Sequence, residues 1–178
     1  MINRVLIGEV VGFFAAATGF LIFQQKTRKR VLFVKFVCDL LWSLHFLLLA
    51  AYSGMAISMV GCSRDLIFLA TGADKKKKKT VWLAVFLTVN VISVCFAWKN
   101  MWSICSLISG VLATIAYWND SPTRIKLISL AVCASQITYG VAIGSYAVLF
   151  NETIAVISIL LFFWRLWKRK RKRREELS

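Results

Sequence analysis

The chain has 178 residues, of which 59% are hydrophobic and only 17% are charged, and its mean hydropathy is +0.70. Soluble globular domains are about 45–50% apolar and about 25% charged, so this composition excludes an ordinary water-soluble enzyme. A net charge of +15 leaves two classes of partner open, nucleic acid and anionic lipid, and the positions of the charges decide between them.

Apolar stretches of membrane-spanning length follow one another along the chain. A bilayer core about 30 Å thick needs roughly 20 helical residues, and the chain lacks the alternating pattern of barrel strands. We therefore predict an all-α membrane protein with seven transmembrane helices. The predicted spans cover residues 5–24, 31–51, 55–72, 80–98, 102–118, 125–143 and 147–167. Most tryptophans lie near span ends, whereas Trp42 lies inside the second span and is expected to face the bundle interior.

The spans form two similar triplets around a single helix. In each triplet a basic loop follows the first helix, and a tight turn near residues 52–54 or 144–146 joins the second helix to the third. Parallel repeats of this kind occur in small transporters. We predict one membrane domain in a 3+1+3 arrangement. It comprises a first three-helix unit (1–72), a linker helix (80–98), a second three-helix unit (102–167) and a basic tail (168–178).

Basic residues concentrate on one side of the predicted helices. Nineteen of the 23 Lys and Arg residues fall in the loop after span 1, the run at 75–79, the loop after span 5 and the tail. Short loops rich in Lys and Arg stay in the cytoplasm, which predicts an external N-terminus and a cytoplasmic C-terminus. Juxtamembrane clusters of this kind attract anionic lipid headgroups, and they lack the interleaved aromatic residues of nucleic-acid sites. The predicted lipid-contact residues are Lys75, Lys76, Lys77, Lys78, Lys79, Lys168, Arg169, Lys170, Arg171, Lys172, Arg173 and Arg174.

Short motifs connect the chain to a known family. The stretch HFLLLAAY at residues 45–52 is followed by Arg64, the last span begins near Asn151 and Glu152, and residues 163–165 read FWR. In these features the chain resembles the YgjV-type bacterial inner membrane proteins. The resemblance implies a bacterial cytoplasmic-membrane protein and implies no particular activity. The span plan is also similar to that of SWEET and PQ-loop transporters, although the Pro-Gln dipeptide is missing.

Ionisable residues within spans are costly and so mark candidate sites. Glu9, His45 and Glu152 each lie about six residues, or about 9 Å, from the predicted external ends. They are candidates for an outer site that binds a polar solute or gates proton-coupled movement, since histidine changes charge near neutral pH. Alternatively, both glutamates reach the headgroups and His45 bonds to a carbonyl group. Asn90 and Asn151 complete the predicted substrate-binding set; together with Gln136 and Thr138 they alternatively join helices by hydrogen bonds.

A second group of charges lies closer to the cytoplasmic side. Asp39 and Arg64 fall at similar depths in a hairpin, Lys35 precedes Asp39 by one helical turn, and Asp65 follows Arg64. These four residues are predicted to form an intramembrane ion-pair cluster. The cluster is either a structural clamp or a gate that contacts an anion.

These features predict a transporter or permease-like protein for a small polar solute. The alternative is a non-transporting scaffold that binds lipid or a partner, including a second copy of the chain, through its basic segments. No enzyme is predicted, because motifs such as HExxH, GxSxG and GxxxxGK[ST] are missing. No cofactor or metal is predicted either: there is one histidine, and the five cysteines lie within spans without a CxxC pair.

Overall fold

A computed structural model describes residues 2–22, 28–71, 76–118 and 122–175. These residues form seven α-helices and contain no strand, which confirms the all-α prediction. The helices are α1 (Ile2–Ile22), α2 (Arg28–Leu48), α3 (Tyr52–Thr71), α4 (Lys76–Phe96), α5 (Ser103–Trp118), α6 (Pro122–Ile143) and α7 (Tyr146–Glu175).

Three helices are long and apolar enough to cross a membrane: α1 over Asn3–Leu21, α6 over Thr123–Ile143 and α7 over Tyr146–Arg169. Shorter apolar segments occur in α4 (Val81–Phe96) and α5 (Ser103–Ala116). The bundle is therefore rich in apolar helices, and seven complete crossings remain a prediction.

Four helices extend into basic segments that the sequence predicts as loops or tail. α2 begins at Arg28, and α6 begins at Pro122, ahead of Arg124. α4 begins at Lys76, so that most of the lysine run belongs to its first turn, and α7 continues through the basic tail to Glu175. Lys and Arg are good helix formers, and their charges are favourable near a helix C-terminus, which explains the extension of α7.

Six helices form a closed ring, and one lies outside it. In the described residues, the ring follows the contacts α1–α2–α3–α5–α6–α7 and closes between α7 and α1. α4 packs on the outside, where it contacts α3 and α5. Large apolar side chains such as Phe14, Val81 and Leu127 are exposed on the outer surface. An apolar exterior of this kind suits contact with lipid.

The turns that join α2 to α3 and α6 to α7 have the same backbone geometry. Ala50 and Gly144 have φ values of 54° and 68°, the left-handed conformation that ends many helices. The next residue in each turn donates its N–H to a carbonyl group five residues back, Ala51 to Phe46 and Ser145 to Gly140. These are Schellman motifs 94 residues apart, at positions 50 and 144. In both cases the next helix, α3 or α7, begins with the tyrosine that follows the motif.

Candidate functional site

Four charged side chains of α2 and α3 form one cluster of ion pairs, the α2–α3 charge cluster. Lys35 Nζ lies 2.8 Å from Asp39 Oδ2 and 3.5 Å from Asp65 Oδ2. Arg64 Nε lies 3.3 Å from Asp65 Oδ1, and Arg64 Nη2 lies 3.9 Å from Asp39 Oδ2. Each cation therefore contacts both carboxylates, and the formal charges of the cluster cancel. The structure thus brings together the four residues that the sequence analysis groups as an ion-pair cluster.

Gly61 makes this close packing possible. A Cβ atom at this position of α3 would lie 2.6 Å from Asp39 Oδ2, so any side chain would push the carboxylate of α2 away. Asp65 and Arg64 are almost fully buried, with side-chain exposures of 2% and 8%. The cluster is consequently held inside the bundle by a glycine contact as well as by charge.

A cavity of about 160 Å³ lies within the ring beside the α2–α3 charge cluster. Residues from α2 through α7 line it, and its apolar walls include Trp42, Phe46 and Val148. We call it the central cavity. Its polar lining side chains are Lys35, Asp39, Ser58, Arg64, Asn90, Gln136 and Glu152.

Glu152 enters the central cavity from α7. Its Oε1 accepts a hydrogen bond from Asn151 Nδ2 at 2.9 Å, and the Cys133 thiol of α6 donates a second one to the carboxylate. Among the described residues no Lys, Arg or His nitrogen forms an ion pair with Glu152. The carboxylate is therefore held by two neutral donors.

Two neutral amides complete the polar lining. Asn90 reaches the central cavity from α4 because Gly110 of α5 leaves room for it: a Cβ there would lie 3.0 Å from Asn90 Oδ1. Asn90 Nδ2 donates to Phe86 O and to Thr114 Oγ1, at 2.8 and 3.0 Å. Its carbonyl oxygen is thereby left for other donors.

Gln136 of α6 carries an unsatisfied acceptor. Its Nε2 donates to Ser109 Oγ at 2.9 Å, and that hydroxyl donates onward to Ser106 O, which fixes the orientation of the amide. Gln136 Oε1 is buried and has no hydrogen-bond partner among the described residues. Thr138, by contrast, is exposed and bonds within its own helix to Ala134 O.

Glu9 and His45 lie outside the central cavity, where α1, α2 and α7 meet. Glu9 Oε2 accepts the N–H of Ala147 at 2.7 Å, and Ser145 Oγ accepts the N–H of Val148 at 3.2 Å. Together they cap the N-terminus of α7, whose positive dipole end favours a carboxylate. The structure thus divides the three residues that the sequence analysis places at one depth: Glu9 and His45 contact the end of α7, and Glu152 lines the cavity.

His45 is fully buried, and both of its ring nitrogens are bonded. Nδ1 lies 2.7 Å from Gly8 O, which can only accept, so Nδ1 carries a hydrogen. Nε2 lies 2.9 Å from Ser145 Oγ, whose hydroxyl can donate to it while the oxygen accepts from Val148 N–H. A neutral imidazole satisfies every group in this chain of bonds. His45 therefore joins α1, α2 and the turn before α7.

A packed layer of apolar side chains separates the central cavity from a second pocket of about 220 Å³ near the turns. The layer consists of Phe46, Ala51, Tyr139 and Val148, with Trp42 stacked on Phe46. Phe46 and Val148 face the cavity, and Ala51 and Tyr139 line the second pocket. We call this the turn-side layer.

Tyr139 fixes the turn-side layer by hydrogen bonds that the sequence analysis does not anticipate. Its hydroxyl oxygen lies 2.9 Å from Ser53 Oγ and accepts the N–H of Gly54 at 3.0 Å. Tyr139 follows His45 by the same 94 residues that separate the two Schellman turns. That spacing is the signal in the sequence that could have identified Tyr139 as an interhelical contact.

The basic clusters are only partly described. Lys75 lies outside the described residues, as do the side chains of Lys76 to Lys79, Lys170 and Lys172 to Arg174. Near the end of α7, Lys168 Nζ lies 4.3 Å from the centroid of the Trp164 ring, and Arg171 stacks over Trp167. Cation–aromatic pairs of this kind suit the headgroup region of a membrane.

Comparison with known proteins gives one match. The family model Imp-YgjV, described as bacterial inner membrane protein, matches residues 6–170. No curated protein and no solved structure matches the chain at a significant level.

Proposed function

The chain belongs to the Imp-YgjV family of bacterial inner membrane proteins, and from this premise we propose that it transports a small polar solute through its helix bundle. The observation that carries the proposal is the central cavity: it lies inside a ring of six helices and is lined by seven polar or charged side chains. Polar groups within a bundle are costly and characteristically mark a solute or ion pathway.

The turn-side layer supports a transport cycle with alternating access. It closes the central cavity towards the second pocket, and its residues come from α2, the turn between α2 and α3, α6 and α7. Two hydrogen bonds join the two halves of the chain here. One lies between Tyr139 and Ser53 in the layer, and the other between His45 and Ser145 beside it. In the proposed cycle these bonds break, the layer separates and a solute passes between the second pocket and the cavity.

We further propose the finer architecture and topology that accompany this function. Seven spans in a 3+1+3 arrangement, with the two triplets as parallel repeats, agree with the paired Schellman turns and with the position of α4 outside the ring. The N-terminus is placed outside and the C-terminus in the cytoplasm by the asymmetry of basic residues. The basic clusters bind anionic headgroups on the cytoplasmic side.

Uptake by proteoliposomes tests the transport proposal. Purified protein is reconstituted and offered radiolabelled amines, amino acids, sugars and carboxylates. We expect time-dependent uptake of at least one class above that of protein-free liposomes. Ala113→Phe fills the central cavity and should abolish uptake. Ala131→Phe, on an exposed part of α6, should retain uptake. A folded, monodisperse protein that takes up no class, or equal uptake by both variants, overturns the proposal.

A further inference from the structure

We infer that the central cavity selects a small organic cation, of the ammonium or guanidinium class, and that Glu152 supplies its counter-charge. The inference rests on the proposed function only in taking this cavity as the binding site. It deepens that function by naming the chemistry of the solute.

The charged residues around the cavity do not balance when Glu152 is ionised. Lys35 and Arg64 contact the carboxylates of Asp39 and Asp65, and the formal charges of these four residues cancel. Glu152 is the additional carboxylate of the lining, so an ionised Glu152 gives the described lining and its ion-pair partners one excess negative charge. An ionised carboxylate inside a bundle needs a compensating cation, and the described residues place none in an ion pair with it.

The lining of the cavity contains hydrogen-bond acceptors that the described residues leave unused. Gln136 Oε1 is a buried acceptor without a partner, and its orientation is fixed by Ser109. Asn90 uses its amide nitrogen on Phe86 and Thr114, which leaves its carbonyl oxygen as an acceptor. Together with the Glu152 carboxylate, these oxygens offer acceptors to N–H donors. Ammonium and guanidinium groups provide several donors and no acceptor.

The aromatic walls favour the same class of solute. Trp42 and Phe46 both line the cavity and are stacked with ring centroids 5.9 Å apart. Aromatic faces attract alkylammonium and guanidinium cations and do not attract carboxylates. An anion would instead have to displace Asp39 or Asp65 from Lys35 and Arg64, against the ion pairs already formed.

The cavity has room for a small solute. Its volume is about 160 Å³. A guanidinium ion or a short alkylammonium fits this space.

Binding to the purified full-length protein in detergent tests the inference. Guanidinium, urea and acetate are planar probes of similar size that differ in charge, and methylammonium provides the second cation class. Each is titrated calorimetrically at millimolar concentrations against matched sodium chloride. We expect saturable binding of guanidinium and methylammonium and none of urea or acetate. Glu152→Gln should weaken cation binding at least tenfold, whereas Glu9→Gln, whose carboxylate lies outside the cavity, should not.

A second variant keeps the test decisive if Glu152→Gln folds poorly. Trp42→Leu removes an aromatic wall without changing any charge and should weaken binding of both cations severalfold. Binding of acetate in place of guanidinium, or equal cation binding by the wild type and both variants, overturns the inference. Cation binding without uptake supports the inference and overturns the transport proposal. Uptake of sugars or carboxylates alone supports transport and overturns the inference.

Discussion

At Gly12, α1 packs closely against both α2 and α7. A Cβ added to it would lie 2.5 Å from Ala147 Cβ and 2.6 Å from His45 Nδ1. Neither neighbour can retreat freely, because Ala147 is fully buried at the capped start of α7 and His45 is bonded on both nitrogens. Glycine therefore sets the distance between α1 and α7.

We expect Gly12→Ala to destabilise the protein by about 1–3 kcal/mol, the usual cost of overpacking a core. Thermal unfolding of the purified protein, followed by circular dichroism, measures the effect. Gly19→Ala is the matched control on the same helix, since among the described residues its Cβ would meet only Cys38 Sγ, at 3.8 Å. The control should be neutral or slightly stabilising, because alanine is the better helix former. Equal loss in both variants would contradict this account of α1 packing.

Arg64 tests whether the α2–α3 charge cluster acts as a clamp. Removing one partner of a buried ion pair costs about 3–5 kcal/mol because the other charge is left uncompensated. Arg64→Met should therefore destabilise the protein by about this amount. Arg64→Met combined with Asp65→Asn removes one charge of each sign and should recover most of the loss.

Equilibrium unfolding in a mixed-detergent titration gives both free energies of unfolding. Arg124→Met is the control for the loss of an arginine, because Arg124 is exposed near the start of α6 and should change stability by less than about 0.5 kcal/mol. If the single and double variants at Arg64 lose equal stability, charge balance does not hold the cluster together.

At the scale of the elements, α7 depends on other helices to start where it does. Ser145 accepts the N–H of Val148 and bonds to His45, and Glu9 of α1 accepts the N–H of Ala147. Ser145→Ala removes the helix cap and leaves His45 Nε2 without its partner. We expect a loss of about 1–3 kcal/mol, measured by thermal unfolding.

Ser63→Ala is the control for this prediction. Its hydroxyl bonds to Met59 O one turn back on the exposed face of α3 and joins no other element. Its loss should change stability by less than about 0.5 kcal/mol. A Ser145→Ala variant as stable as Ser63→Ala would show that the cap does not determine where α7 begins.

The sequence predicts the existence of each helix well and its ends less well. Hydropathy measures how apolar a segment is and does not detect where a helix ends. The predicted second span therefore includes the apolar residues 49–51. α2 instead ends at Leu48, because the left-handed Ala50 closes a Schellman motif there. At the other extreme, α7 passes beyond the predicted span into basic residues, since helix formation does not require a residue to be apolar.

The site is predictable where it depends on spacing along one or two helices. The α2–α3 charge cluster follows from a four-residue step and a hairpin, and the structure places its members together. Counting residues from a span end gives depth and not direction around the helix axis. Glu9 and Glu152 therefore look equivalent in the sequence, although one caps α7 and the other lines the central cavity.

At the scale of the whole molecule, the ring explains how a chain so rich in apolar residues encloses a polar interior. The ring helices expose large apolar side chains on the outside, and α2, α3, α6 and α7 supply polar side chains to the central cavity. α4 joins this arrangement from outside through Asn90, which passes between α3 and α5 beside Gly110. The high apolar content of the chain therefore reflects its outer, lipid-facing surface. The residues that would act on a solute are a small minority.

The orientation of the whole bundle gives the final prediction. Nineteen of the 23 basic residues lie where α1 meets α2, α3 meets α4 and α5 meets α6, and towards the end of α7. Short basic connections are retained in the cytoplasm. A green fluorescent protein fused after residue 178 should therefore fluoresce in a bacterial host, and alkaline phosphatase fused after residue 100, between α4 and α5, should be active. Replacing the five lysines at 75–79 with glutamine should preserve both signals, because the loop after α1 and the tail still carry their charge.

An active phosphatase at the C-terminus together with an inactive one after residue 100 would show the opposite orientation. The second pocket would then face the cytoplasm, and the turn-side layer would be the inner barrier of the transport path.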